Sequence, residues 1–404
     1  MTGLTERGRF VLFLAGGIYL VAWAFGSRSL YPAAIGLALA AIGARLWVAA
    51  IRQPVSLKRS LGTREPLEGD DVTIALEALP QRHPGPRSIE VVEQVGRLGK
   101  RRVQLARHGR PLLARYVLRD VPRGRYHFEA VRAIFEDPFA LARAELHLGT
   151  ESALLVYPRL VDLDRLFTQS GGAMLSGGRV LLRRTAGFDL HSVREYEQGE
   201  SLRKVHWRTT ARRGVLMVKE LEDMPHDEVA VLLDADEHAV VAESFDVQVR
   251  AAGSILRAHV LAGRRSLLTV TSSPPASCSV ASFDGEWRTA LELLASAEPT
   301  GTEPLVRFFD RDASGAGLAT ELVVVTGALD ARLTDSLLER AFARRPTALV
   351  LVETPSFGPG SAPPARDPAL LRLSAAGVPV ATIRKGDDLA AKLTGFEEAQ
   401  TAHG

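Results

Sequence analysis

From Phe10 to Ser27 the chain carries no charged residue (FVLFLAGGIYLVAWAFGS), and after Arg28 a second apolar run, SLYPAAIGLALAAIGA, continues from Ser29 to Ala44. A helix over the first run rises about 27 Å, close to the roughly 30 Å hydrocarbon core of a bilayer. Helices apolar on every side are accepted by few surroundings, so this feature constrains the fold more than any other. The second helix reaches Ile51 if Arg45 snorkels towards headgroups. Trp23, Tyr31 and Trp47 fall near the ends, where amphipathic rings settle. A secretory signal and a buried soluble hairpin compete. Against the signal stand the length of the run, the second run directly behind it and the lack of a convincing Ala-x-Ala cleavage site closing the first. Against the buried hairpin stands the missing polar stripe. The pattern predicts a membrane anchor over 1–54 with two transmembrane helices.

Orientation follows from the basic flanks. Arg7 and Arg9 share a side with Arg45, Arg52, Lys58 and Arg59, and only Arg28 lies in the connecting loop. The positive-inside rule then places both ends, and everything after residue 52, on the cytoplasmic face of the inner or plasma membrane. The competing localisation is export of that remainder. With 50 Lys and Arg against 47 Asp and Glu, the net charge of +3 is too small for a dedicated nucleic-acid binder. One cysteine, Cys278, excludes an internal disulfide and any cysteine-based zinc cluster.

At 404 residues, several domains are expected. Residues 55–158 turn to period two. Val72–Leu79 alternates as a half-buried strand does, and Ser88–Val95, Arg101–Ala106, Leu112–Leu118, Arg125–Phe135 and Ala153–Tyr157 follow between turn-rich pieces. Six or seven short strands with almost no helical periodicity predict an antiparallel β-sandwich, read as a binding or spacing domain.

Residues 227–404 alternate apolar strands with amphipathic helices. Strands are expected at Glu228–Leu233, Ser266–Val270, Glu321–Thr326, Ala348–Val352 and Val378–Ile383. Helices are expected at Phe245–Ala262, Glu286–Ala297, Thr334–Ala343, Asp367–Ala375 and Asp387–Leu393. This predicts an α/β doubly wound domain around a mostly parallel sheet. Ligand chemistry in such sheets gathers at the strands' carboxyl ends, which singles out Asp234, Thr326 and Asp330.

Residues 159–226 are basic. Ser170–Gly178 is a glycine-rich linker without the Gly-Lys-Ser/Thr ending of a phosphate loop. From Arg179 to Lys219 ten Lys or Arg face four acids, an excess suited to an acidic partner or to anionic lipid. Tyr196, Gly199, Glu200, Arg203, Trp207, Ala211 and Arg212 form a spaced pattern: Tyr, two residues, Gly-acid, two residues, Arg, three residues, Trp, three residues, Ala-Arg. It resembles the signature of the bacterial domain of unknown function 58 family. Arg123-Gly124-Arg125-Tyr126 and Asp137-Pro138-Phe139-Ala140-Leu141 are similar to that family's Arg-Gly-x-Tyr and Asp-Pro-Phe-Gly-Leu elements. Physically, Arg203 and Arg212 are permanent cationic forks within reach of Glu195, Glu197 and Glu200, and Trp207 is large enough to anchor a segment. A structural clamp and a partner-binding surface both fit, and His206 has no second ligand nearby.

The resemblance implies a von Willebrand factor A-like C-terminal domain, in which an Asp-x-Ser-x-Ser loop, a threonine and an aspartate hold a divalent cation. Here the loop reads Asp234-Ala235-Asp236-Glu237-His238, without either serine. A degenerate site over Asp234, Asp236, Thr326 and Asp330, without metal, is expected, with Mg²⁺ the alternative. The resemblance also implies a MoxR-type AAA+ ATPase as partner.

No Gly-x-Ser-x-Gly elbow, Walker loop or His-Glu-x-x-His motif occurs. Cys278 is expected in a loop, Ser272–Ser279, with His259 and His238 on other elements. Two functions survive: a membrane-tethered, non-enzymatic interaction protein, and a metal-dependent ligand binder or hydrolase using Asp234, Asp236 and Asp330.

Overall fold

The computed structural model describes residues 2–81, 86, 88–107, 111–129, 131–149, 152–163, 190–195, 207–221, 229–309, 319–359 and 367–395. The chain forms two compact units, residues 1–157 and 158–404.

The first unit opens with a short strand, β1 (Thr2–Leu4), and two helices, α1 (Glu6–Phe25) and α2 (Tyr31–Ile51). Thr5 caps α1, its side chain accepting from the Gly8 amide, and Gly26 at φ +68° ends it. Between the helices the buried side chains are small, Ala15 and Ala22 on α1 and Ala34 and Ala41 on α2, the kind that lets helices approach closely. Outward they present Phe10, Phe13, Leu20, Trp23, Phe25, Leu39 and Leu46, all exposed. Both are long and apolar enough to cross a membrane. Only 17% and 22% of their most apolar windows are buried, unlike helices held inside a soluble core.

Strands follow: β2 (Val55–Leu61), β3 (Val72–Pro80), β4 (Ser88–Gln94), β5 (Lys100–Arg107), β6 (Leu112–Leu118), β7 (Gly124–Phe128), β8 (Val131–Glu136), β9 (Ala142–Leu148) and β10 (Ser152–Val156). Seven of them join β1 in one antiparallel sheet, in the order β1-β9-β8-β4-β5-β6-β3-β2, and β10 pairs with β7 as a separate ribbon. The expected sandwich is therefore one large curled sheet and a two-stranded ribbon, not two sheets of similar size. Arg125–Phe135, expected as one strand, divides because its halves serve different sheets: β7 joins β10, whereas β8 lies between β4 and β9. The core draws on both, with Ile74, Leu76, Leu105, Tyr126, Phe128 and Phe135 fully buried, and Ala44 and Val48 of α2 belong to it too.

The two family-like elements have legible roles here. In Arg123-Gly124-Arg125-Tyr126, the buried Tyr126 hydroxyl donates to the Pro122 carbonyl at 2.7 Å. Gly124 sits at φ +148°, a conformation that residues other than glycine rarely adopt, and the Arg97 guanidinium would lie 2.9 Å from an added Cβ. In the turn Asp137–Leu141, the buried Asp137 carboxylate accepts from the amides of Phe139 (2.9 Å) and Ala142 (2.6 Å). Ala140 takes φ +56°, left-handed, where the family pattern has glycine. Thr5 clamps this turn to the start of α1: its hydroxyl donates to Ala140 O at 2.6 Å and its amide to Leu141 O at 2.9 Å.

The second unit contains β11 (Leu190–Glu195), α3 (Trp207–Arg213) and β12 (Met217–Leu221), with β11 and β12 paired antiparallel. Then come β13 (Val229–Leu233), α4 (Ser244–Leu261), β14 (Ser266–Val270), β15 (Ala276–Val280), α5 (Gly285–Ser296), β16 (Glu321–Thr326), α6 (Ala331–Phe342), β17 (Thr347–Val352), α7 (Pro368–Ala375), β18 (Val380–Ile383) and α8 (Leu389–Thr394). Their sheet runs β15-β14-β13-β16-β17-β18, parallel except for β15. Alternate residues of β13 face opposite cores. Val229, Val231 and Leu233 pack with α4, α5 and α8, while Ala230 and Leu232 pack with α6 and α7. Fully buried central strands explain the unbroken apolar runs. Cys278 lies in β15 and not in a loop, since its neighbours alternate half-buried and exposed along the sheet edge.

Candidate functional site

β13 leads through α4 to β14 on one side, and β16 joins β13 on the other. The winding therefore reverses between β13 and β16, and the crevice beyond their carboxyl ends is where open α/β sheets place ligands. Asp234 and Thr326 stand on either side of it. The Thr326 hydroxyl donates to Asp234 Oδ2 at 2.6 Å, and Asp234 Oδ1 accepts from the Asp236 amide at 3.2 Å and the Thr271 hydroxyl at 3.4 Å. Burial raises the Asp234 carboxyl above its ordinary value and the charge of Asp236 adds to this, while the bonds from Thr326, Asp236 and Thr271 pull the other way. The Asp234–Glu237 segment is stitched down by Ala235 N on Thr271 Oγ1 (2.8 Å) and Gly301 N on Ala235 O (2.7 Å).

The other two carboxylates of the expected quartet serve local structure. Asp236 accepts from the His238 amide at 2.9 Å and caps a short turn. Asp330 caps α6, accepting from the Leu333 amide at 2.6 Å. Among the described residues no group of three or more His, Cys, Asp or Glu comes together as a cation cage. The fold therefore unites Asp234 with Thr326 and leaves Asp330 at its helix end. In this arrangement Asp234 Oδ2 accepts the Thr326 hydroxyl, and one oxygen each of Asp236 and Asp330 accepts a backbone amide.

Sequence reading passed over Thr271, Gln248, Gly301 and Gly327. Gln248 of α4 is fully buried with its amide beside Gly327, where an added Cβ would lie 2.7 Å from Nε2 and 2.2 Å from the Ala239 carbonyl. Thr271 had a usable signal, since it directly follows β14 at the same end of the sheet. Gly301 and Gly327 are close approaches of loops distant in sequence and had none.

Of the signature residues, Tyr196, Gly199, Glu200 and Arg203, with His206, lie outside the described residues, as does the Ser170–Gly178 linker. Trp207, Ala211 and Arg212 fall on α3, which exposes Ala211 and Arg212. Gly214 at φ +69° closes the helix, and Thr210 Oγ1 accepts from the amide of the buried Met217 at 3.0 Å.

The remaining nucleophile and base candidates are quiet. Burial and then Glu286 push the Cys278 thiol up to about 11, leaving it protonated at neutral pH. His259 is fully buried, and burial followed by the neighbouring Arg264 lowers it to about 3, a neutral ring. It stands with the 2.6 Å Arg264–Glu321 pair, at the amino end of β16, away from the crevice. His238 is exposed beside Glu237.

Residues 192–258 match the family described as "Protein of unknown function DUF58". The uncharacterized protein YeaD of Bacillus subtilis is 25% identical over 257 residues, a stretch covering 63% of this chain and 62% of YeaD. Two solved structures align weakly with this chain. Cwp6 from Clostridium difficile has a TM-score of 0.17 and 8% identity over 82% of this chain and 38% of its own. The apo structure of Bacteroides uniformis beta-glucuronidase 3 has a TM-score of 0.19 and 7% identity over 84% and 34%. The matched residues take in the spaced signature, α3 and the Asp234 loop, and the likeness to the DUF58 family rests on them.

Proposed function

We propose that this chain is a membrane-tethered, non-enzymatic interaction protein, whose von Willebrand factor A-like C-terminal domain meets partners on the cytoplasmic face. The observation that carries the reading is the state of the crevice carboxylates. Asp234 is held by Thr326, Asp236 by its own turn and Asp330 by α6, so each is spent on structure. Carboxylates bonded in this way fix loop shape, which supports a binding role over turnover. The A-type reading is supported by the doubly wound order and by Asp234 and Thr326 meeting at the switch point. The tether is supported by the exposed apolar belt of α1 and α2.

The partner best matched to the family resemblance is a MoxR-type AAA+ ATPase, engaged through the basic signature segment. The exposed Arg212 on α3 offers a fork for a carboxylate of that partner. Crosslinking in native membranes tests this. An ATPase recovered with wild type and weakened by Arg203→Ala or Trp207→Ala supports it. Unchanged capture in both variants restricts the signature to an internal role, and turnover of a small molecule by the purified chain overturns the reading altogether.

A further inference from the structure

We propose that the turn Asp137–Leu141, with Phe139 at its tip, is a second membrane contact. It docks on the anionic headgroup layer of the leaflet that α1 enters, with Arg7, Arg9, Arg45 and Arg52 as the complementary charge. The inference rests on the proposed reading that α1 and α2 span the bilayer.

Three observations place the turn at that level. Phe139 is 77% exposed, yet the turn carrying it is rigid: Asp137 holds two of its amides, and Thr5, the cap of α1, holds Ala140 and Leu141. Gly8 packs so closely on this turn that an added Cβ would lie 2.0 Å from Leu141 O. Phe139 therefore travels with the first turn of α1 and has no freedom to fold away.

The second observation is length. The apolar part of α1 from Phe10 to Phe25 rises about 24 Å, less than the roughly 30 Å hydrocarbon core. On α2, Ala44 and Val48 are already committed to the sheet's core, while Leu46 and Trp47 remain exposed on the other side. Lipid covering those two side chains reaches the base of the hairpin. Tyr19 meets Tyr31 edge-on at 5.4 Å, and from that contact α2 rises about 24 Å to Trp47 against about 20 Å of α1 to Glu6, which brings Trp47 level with the segment just before α1, around Thr5. Trp47 and Phe139 thus mark the same height, where aromatic rings favour the membrane–water boundary.

The third is charge. Arg7, Arg9, Arg45 and Arg52 are all exposed around this base, the arrangement an anionic leaflet attracts.

The test uses the full chain carrying Cys278→Ser and either Phe139→Cys or Leu46→Cys, labelled with an environment-sensitive fluorophore. The protein is reconstituted into vesicles of equal phosphatidylcholine and phosphatidylglycerol. The label at 139 is expected to be quenched by a headgroup-attached nitroxide and shielded from an aqueous reductant, with quenching falling about twofold when phosphatidylglycerol is omitted. Amide exchange at position 139 and at Ala142 verifies that the Asp137 turn is intact in the labelled protein. A label at 46 in lipid with a label at 139 freely reduced from water overturns the dock and leaves the span standing. Both labels freely reduced overturn dock and span together. Quenching at 139 that does not depend on phosphatidylglycerol overturns the electrostatic part. Shielding of 139 that persists in detergent, where no leaflet exists, assigns the site to a protein contact and overturns the proposal.

Discussion

Arg59 on β2 and Glu93 on β4 form a buried ion pair at 2.6 Å, although β3, β6 and β5 lie between their strands in the sheet. At about 4.8 Å per strand, a flat sheet would hold those two strands roughly 19 Å apart. The pair therefore spans the inside of a curl. Both side chains are nearly inaccessible, at 4% and 0%. Glu93 also accepts from the Tyr116 hydroxyl on β6, which burial first and then Glu93 itself hold well above its usual range. Arg59 donates to Ser152 on β10 and lies 4.1 Å over the Phe128 ring on β7. One charged pair thus ties the sheet to its ribbon.

Removing one partner leaves a buried charge unmatched, so Arg59→Leu or Glu93→Leu is expected to cost about 3–5 kcal/mol. The double variant Arg59→Met with Glu93→Leu should cost clearly less than the two singles together. Urea unfolding of the detergent-solubilised chain measures all three. Additive losses would show that the pair is not coupled.

His259 makes stability depend on acidity. Its folded value near 3 lies below the ordinary 6.5, so the folded chain binds fewer protons between them. Stability is complete above about pH 6.5 and is lost as pH falls, by at most about 1.4 kcal/mol per unit from this group. His259→Gln is expected to flatten the pH profile of the unfolding midpoint over that window. A variant profile parallel to wild type would refute the assignment.

Asp234→Asn keeps an acceptor for Thr326 and removes a charge that burial disfavours, so at neutral pH it is expected to be as stable as wild type or slightly more so. Asp234→Ala takes the acceptor from the Asp236 amide and leaves the Thr326 hydroxyl only the Ala328 carbonyl at 2.8 Å, at a cost of about 1–3 kcal/mol. Millimolar Mg²⁺ should leave the melting temperature of the wild type unchanged. A Mg²⁺-dependent rise abolished by Asp234→Asn would instead establish a cation site there.

Ala140 occupies a left-handed conformation that favours glycine, so Ala140→Gly is expected to stabilise the first unit by about 1 kcal/mol. Gly8→Ala should act in the opposite sense, because its Cβ would collide with the Leu141 carbonyl and prise α1 from the turn. Proteolysis rates at the hairpin base, compared across the two variants, separate these effects. Equal rates would argue against a clamp.

Several elements could be read directly because their signal is local. The expected strands Leu112–Leu118, Ser266–Val270 and Glu321–Thr326 coincide with the observed ones, since apolar spacing within one segment reports the faces it buries. β2 and β9 were not singled out: charged Lys58, Arg59, Arg143 and Glu145 interrupt their alternation, and Arg59 is buried only because Glu93 awaits it. Cys278 looked like loop because an edge strand, with one side free, needs few apolar residues.

What the chain determined by itself was the apolar hairpin, the alternating α/β half and the carboxylate that would end β13, each written in neighbouring residues. What only tertiary structure decided was which distant groups meet. Thr326 reached Asp234, Glu93 reached Arg59, and Asp330 turned to its own helix. Periodicity encodes which way a side chain points, and the identity of its partner across a sheet depends on strand order and curl, which no single segment carries.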